Sequence, residues 1–405
     1  MTAPKLRFKE FCSEYNEYNL GKLLKSYRLG GNYSNSEIKT NFPLIKMGNL
    51  NRGNINLSKI EYIPNDEIIN DEDRIQLGDL FFNTRNTLEL VGKVAIWRNE
   101  LPVAYYNSNL MRLEFENNFY MNFLLNTEKS LEKLKAIASG TTSVAAIYTK
   151  DLLKVKVNVP FVDEQTKIAF FLSAVDEKIS QLTQKYQLLS QYKQGMMQKL
   201  FSQQIRFKAD DGGEFGGWER VKFKDILISY RLGGNYSNSE NKTPYPLIKM
   251  GNLGRGTIST NKIEYIPCEE KIDAIDLIKT NDLFFNTRNT LELVGKVAIW
   301  RDELPHAYYN SNLMRLDFEN NIFMDYLLNE RTTLEKLKSI ASGTTSVAAI
   351  YTKDLLKINL EIPCLEEQTK IANFLSSIDQ KIEVVVQQIE QAKQWKKGLL
   401  QQMFV

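Results

Sequence analysis

Histidine is almost missing from this 405-residue chain, cysteine occurs three times, and no apolar run approaches the ~18 residues that cross a bilayer. The one histidine, His306, has Val103 at the matching place of the internal repeat described below, so an imidazole base is unavailable to one of two matched copies. Cys12, Cys268 and Cys364 stand singly, with the spacing of neither a zinc site nor a disulfide framework, and read as reduced thiols. There is no Gly-x-x-x-x-Gly-Lys-Ser/Thr loop, no Gly-x-Gly-x-x-Gly turn after a strand, no Asn-Pro-Pro-Tyr or Asp-Pro-Pro-Tyr pocket and no nucleophile elbow. ATP hydrolysis, dinucleotide chemistry, methyl transfer and acyl hydrolysis therefore have no sequence basis, and no metal-ligand set stands out. Met1 to Leu20 lacks the apolar core of a signal peptide, so the expected compartment is the cytoplasm, with no membrane partner. Net charge is only +3. Between Ser26 and Leu110 nine basic residues face ten acidic ones, so any nucleic-acid binding must come from local patches.

What the chain does have is a second copy of itself. Hydrophobic content of 43% and charged content of 25% suit globular domains. From Ser26 to Lys150, set against Ser229 to Lys353, 95 of 125 positions are identical without a gap, and the run Asp79 to Arg98 recurs unchanged at Asp282 to Arg301. Each unit is about 200 residues, enough to bury its own core.

Along the first unit, a lead-in to about Gly21 precedes a polar loop, Tyr27 to Ser36. Short strands follow at Phe42–Met47, Ile60–Pro64, Asp79–Phe82, Gly92–Trp97, Ala104–Tyr106 and Met111–Leu113. Asn83 to Thr87 is expected as an exposed connection, Phe119 to Ile137 as a helix, Ser139 to Ser143 as its stop, and Leu152 to Pro160 as a strand.

From Asp163 the apolar residues Ile168, Leu172, Val175, Ile179, Leu182, Tyr186 and Leu189 step by four and three, the seam of a long helix. Ile371, Leu375, Ile378, Ile382, Val385, Ile389 and Ala392 repeat it 203 positions later. The expected domains are globules at 1–162 and 204–365 and spacer helices at 163–203 and 366–405. Each rod would be roughly 50 to 60 Å long. The fifteen residues from Gln203 to Trp218, with Gly212, Gly213, Gly216 and Gly217, are too short to carry the chain back along one, so antiparallel pairing is expected. The fold class is thus α+β: two tandem α/β globules, two long antiparallel coiled-coil helices and a pseudo-twofold relation.

Candidate binding residues sit in three places per unit. Asn83, Thr84, Arg85 and Asn86, with Asn286, Thr287, Arg288 and Asn289, combine amides, hydroxyls and guanidinium groups that read base edges or hold phosphates. Thr141 and Thr142, with Thr344 and Thr345, could offer hydroxyls and backbone N–H groups to phosphate oxygens. Lys46, Asn49, Arg52 and Lys93, with Lys249, Asn252, Arg255 and Lys296, add amides and cations near a tight turn. Plain alternatives exist for each: a polar hairpin connection left by a recent duplication, a helix stop, and solvated turn charges.

Taken in order, these parts resemble the specificity (S) subunits of type I restriction-modification systems. The resemblance rests on the lead-in Leu6-Arg7-Phe8, Gly78 to Arg85, Ser139-Gly140-Thr141-Thr142, and Pro160 with Glu164-Gln165-Thr166-Lys167-Ile168-Ala169. The set recurs with Ile205-Arg206-Phe207 and Gly217-Trp218-Glu219 as the second lead-in. The resemblance implies a non-catalytic protein whose two target recognition domains each read half of a bipartite site in double-stranded DNA. Its helices would dock two modification (M) subunits, and restriction (R) subunits would join. It implies no cofactor of its own: S-adenosylmethionine, ATP and Mg would belong to the partner subunits. Recognition domains in this family commonly differ strongly, whereas these two are close copies, which favours a near-palindromic site. The rival reading is an adaptor carrying two peptide-binding globules on a helical spacer; a fused nuclease lacks a matched set of carboxylates, lysines or histidines.

Overall fold

A computed structural model describes residues 3–405 of the protein. The chain divides into two compact units: Met1–Gln184 with Val386–Val405, and Lys185–Val385.

In the first unit β1 (Asn16–Asn19) pairs antiparallel with the strand Lys156–Val159 at the far end of the globule. A short α1 (Leu20–Leu23) leads into β2 (Ser26–Leu29), so the start of the expected polar loop is instead an edge strand, paired with Leu110–Glu114. Its side chains are mostly exposed, which is why no hydrophobic alternation marked it.

A four-stranded sheet organises the globule in the order β2, Leu110–Glu114, Leu80–Asn83, Val94–Ile96. Its central strand, Leu80-Phe81-Phe82-Asn83, is buried along its whole length because both faces are covered. Leu80 and Phe82 join one core with Val94, Ile96, Met111, Leu113 and the helices. Phe81 points the other way, into a core with Ala95, Trp97, Tyr106 and Leu110. Alternation with period two thus feeds two cores from one strand. Loss of a phenylalanine ring from either would cost ~3–5 kcal/mol.

The helix expected over Phe119 to Ile137 is two helices, Asn118–Leu125 and Glu128–Ala136. The break falls at Asn126-Thr127, where Thr127 Oγ1 accepts from Ser130 N and caps the second helix. The second unit has the same order of strands and α-helices and matching pairings.

The long helices span Val162–Phe201 and Leu365–Met403. Each begins in one unit and ends in the other, in opposite order. In the first unit Asp176 pairs with Lys396 at 2.5 Å, and in the second Lys193 pairs with Asp379 at 2.6 Å. Moving forward along the first helix moves the partner back along the second, so the pair is antiparallel, as the short connection required.

The seam belongs to the globules as much as to the helix pair. Ile168, Leu172 and Val175 share a core with Tyr120, Leu399, Met403 and Phe404, and the Phe404 ring lies 5.4 Å from that of Tyr120. The Glu-Gln-Thr-Lys motif is the joint. Buried Glu164 accepts from Arg7 Nε at 2.8 Å and Nη2 at 2.7 Å, with Tyr15 OH at 3.2 Å, and Gln165 Nε2 donates to Pro160 O at 2.9 Å. Glu367 repeats the fork with Arg206 at 3.0 and 2.6 Å, and Gln368 donates to Pro363 O at 2.9 Å. A buried carboxylate needs such a bidentate partner, so lead-in arginine and helix glutamate recur together.

Candidate nucleic-acid interface

Two of the sequence candidates, far apart in the chain, meet in one small sheet. Arg85 and Asn86 pair antiparallel with Ala146 and Ala145, and that strand turns back onto Ser139–Gly140. Leu88 N donates to Thr142 O at 3.0 Å and Ile147 N to Thr84 O at 2.9 Å, so backbone bonds alone fix the meeting. The expected helix stop at Ser139–Ser143 is therefore the start of a hairpin. Gly140 has φ +128°, and a Cβ there would lie 2.3 Å from Val144 O, which only glycine avoids. Thr141, Thr142 and Ser143 are exposed at the tip, where Thr141 Oγ1 accepts from Val144 N at 3.2 Å. Thr87, Leu88, Glu89, Lys135 and Thr142 line an open depression beside it. The second unit builds the same sheet from Arg288–Asn289, Ser342–Gly343 and Ala348–Ala349.

The turn carrying Arg52 adjoins this sheet. Asn51 N donates to Asn54 O at 3.0 Å and Gly53 N to Val94 O at 2.7 Å. The Gly53 carbonyl accepts from Arg98 Nη1 at 3.1 Å and Asn122 Nδ2 at 3.2 Å, so the turn is tied down on three sides. Arg52 Nη2 reaches over to Glu89 O at 3.2 Å, while Nη1 is buried without a partner. Burial pulls the Arg52 guanidinium below its ordinary pKa; it also lowers the Lys93 ammonium, which the Arg52 charge lowers further. Arg255 and Lys296 repeat the arrangement, with Glu292 acting against the effect at Arg255 and Lys296 Nζ donating to Leu253 O at 3.0 Å.

The arginines of the first globule outside this wall, Arg74 excepted, are held by carboxylates. Arg28 pairs with Glu72 and Asp73, Arg98 with Asp176, and Arg112 with Asp79. Among the described residues Arg52, Arg85 and Lys93 make no ion pair, and Arg85 is exposed. Two cations held close without a carboxylate are a standing electrostatic cost that a phosphate would relieve.

The geometry removes several sequence candidates. Lys46 and Lys249 are paired with Glu61 and Glu264 at 2.5 Å. Asn49 is buried, and its amide is used by Lys46 N, Asn56 O and Lys59 O; Asn252 is bonded likewise to Lys249 N, Ser259 O and Lys262 O. Asn83 and Asn286 are fully buried in the central strands, and each Oδ1 accepts from the following arginine N at 3.2 Å. These asparagines shape the backbone, because an amide mid-turn competes for local hydrogen bonds. Thr84 and Thr287 donate to Asn109 O and Asn312 O and are half-buried. Asn86 and Asn289 use Oδ1 on Thr87 N and Thr290 N, leaving their N–H donors. The exposed or half-buried set on the wall is then Arg52, Arg85, Asn86, Lys93, Thr141 and Thr142, with Arg255, Arg288, Asn289, Lys296, Thr344 and Thr345.

Sequence reasoning missed Arg98, which lies beneath this surface. Arg98 closes the invariant run Asp79 to Arg98, which was the available signal. His306 Nε2 lies 2.6 Å from Pro244 O, and the three cysteines are free and exposed. No helix is long and apolar enough to cross a membrane among the described residues.

The profile of the type I restriction modification DNA specificity domain matches residues 13–191 and again 216–394. The chain belongs to the type I restriction-modification specificity subunit family. The MjaVIII type I restriction enzyme specificity subunit of Methanocaldococcus jannaschii is 28% identical over 363 residues, covering 85% of this chain and 81% of its own. A second sequence from that organism, named for the MjaX specificity subunit, is 27% identical over 419 residues, covering 98% and 94%. The type I S subunit crystal structure from M. genitalium shares the fold of this specificity subunit, with a TM-score of 0.63, 15% identity, and 100% and 99% coverage. A chain from a study of type I R-M complex assembly and conformational transition has a TM-score of 0.50 at 16% identity, covering 95% of this chain and 96% of its own.

Proposed function

We propose that each unit of this specificity subunit reads one half of a bipartite double-stranded DNA site, and that the chain directs adenine methylation or restriction by partner subunits. The observation that carries the reading is the wall in each copy, where the sheet of Arg85–Asn86, the Thr141-Thr142 hairpin and the unpaired cations Arg52 and Lys93 adjoin. Cations and backbone amides hold phosphates, while Arg85 and the Asn86 amide have the donors that read purine edges.

In this reading the chain is non-catalytic and works in the cytoplasm. Two M subunits dock on the long helices and supply S-adenosylmethionine chemistry, and R subunits supply ATP- and Mg-dependent steps. Because the walls are nearly the same and the helices run antiparallel, the half-sites are near reverse complements, with one methylated adenine on each strand. The globules 1–162 and 204–365 serve as readers and the helices 163–203 and 366–405 as spacers.

The test is methylome mapping of cells carrying this chain with its methyltransferase partner. One interrupted, near-palindromic motif methylated on both strands supports the proposal. Two unrelated half-sites contradict the palindrome, and absence of any chain-dependent motif contradicts the DNA reading in favour of an adaptor.

A further inference from the structure

The two walls are not identical, and they differ where a side chain could be read. Asp79 to Arg98 and Ser139 to Lys150 recur without change in the second copy, so Arg85, Asn86, Lys93 and the hairpin are common to both. The turn beside them reads Asn51-Arg52-Gly53-Asn54 in one unit and Gly254-Arg255-Gly256-Thr257 in the other. The scaffold of the two turns is the same. Gly256 N donates to Val297 O at 2.7 Å, the Gly256 carbonyl accepts from Arg301 Nη1 at 3.0 Å, and Arg255 Nη2 reaches Glu292 O at 3.1 Å.

What differs is the exposed chemistry. Asn51 Nδ2 donates to Asn54 Oδ1 at 3.3 Å, which orders two exposed amides and leaves Asn51 Oδ1 and Asn54 Nδ2 without a protein partner. An acceptor and a donor held side by side match the paired groups on an adenine edge. The second turn has no side chain at 254 and a hydroxyl and methyl at 257. The positions are also coupled: a Cβ on Gly254 would lie 2.5 Å from Thr257 Oγ1, so an asparagine there requires residue 257 to change or rotate.

We propose that residues 51 and 54 in one unit, and 254 and 257 in the other, are the specificity determinants that make the two half-sites of this subunit differ, within an otherwise shared half-site. The proposal rests on the DNA-reading function above and adds which residues break the palindrome.

The test maps methylated motifs for the full complex with wild-type chain, with N51G/N54T, and with G254N/T257N. The wild-type motif is expected to have two half-sites that differ at one or two base pairs. N51G/N54T should convert the first half-site to the second, giving a perfect palindrome, and methylation at the original sites should fall about tenfold or more. G254N/T257N should give the other palindrome, and because each exchange is made in a different unit, either conversion alone supports the assignment. Melting temperatures within about 2 °C of wild type show that the exchanges left the fold intact. Wild-type half-sites that are already perfect reverse complements, or exchanges that keep both methylation and the original motif, overturn the proposal. Absence of any motif with the wild-type chain would instead sink the DNA reading itself.

Discussion

Arg98 and Asp176 join the Asn51–Asn54 turn to the long helix: Arg98 Nη2 lies 3.3 Å from Asp176 Oδ2 while its Nη1 holds the Gly53 carbonyl at 3.1 Å. Lys396 completes the line by pairing with Asp176 at 2.5 Å. In the second unit Arg301 still holds Gly256 O, but its other arm turns to Asp325 at 3.4 Å, and Asp379 is taken by Tyr326 OH and Lys193, each at 2.6 Å. Two adjacent substitutions, Asn122 and Phe123 in one copy against Asp325 and Tyr326 in the other, accompany the redirection.

Arg98→Ala should loosen the Asn51–Asn54 turn without unfolding the unit, since Gly53 N and Asn122 still anchor it. The expected stability loss is ~1–2 kcal/mol, and methylation mapping should show relaxation in the first half-site only. Equal relaxation of both half-sites would contradict a local positioning role.

Asp325 makes stability pH-dependent in the second unit. Burial raises its carboxyl to about 7, with Arg301 and Lys193 opposing and Asp379 adding to the rise. The folded chain therefore holds this proton to higher pH than the unfolded chain. The contribution is fully present below about pH 4 and is lost as pH rises through about 7. Asp325→Asn should accordingly gain stability relative to wild type between pH 5 and 8, by up to a few kcal/mol. Urea midpoints at the two pH values check this, and a variant-to-wild-type gap that does not change with pH contradicts it.

The Arg7–Glu164 fork should behave as a buried pair. Arg7→Ala leaves Glu164, 3% exposed, with little beside the Tyr15 hydroxyl, at a cost of ~3 kcal/mol or more. Arg7→Met combined with Glu164→Met should recover part of that loss. Thermal melts of the two variants settle the sign, and a double variant no more stable than Arg7→Ala would contradict the pairing.

Arg52 and Lys93 should report phosphate contact through salt dependence. If each meets one phosphate, removing either should lower the slope of log affinity against log salt by about 1, while the preferred motif is unchanged. DNA titrations of the methyltransferase complex at several salt concentrations measure this. An altered motif would instead place these residues on base edges.

The duplication, the long helices, their antiparallel run and the main buried strands were legible because periodicity and the 203-residue offset are properties of the chain alone. The short connection from Gln203 to Trp218 carried the helix direction by reach. The site was legible only in part. Arg85 and Thr142 were identifiable as polar and exposed, but nothing local reveals that their segments share a sheet, which depends on long-range backbone pairing. Asn49 and Asn83 look like ideal base readers in sequence, yet the Asn49 amide is consumed by turn backbone and Asn83 is fully buried in the central strand. Arg98 was hidden for the opposite reason, since it acts from beneath the surface.

The most direct measurement compares the methylomes of Arg85→Ala and Arg288→Ala, each made alone in the complete complex. If each copy's wall reads its own half-site, each substitution relaxes or abolishes recognition in one half and leaves the other as in wild type, and the two variants affect opposite halves. An unchanged motif in both variants, or the same loss in both halves from either one, would contradict the account.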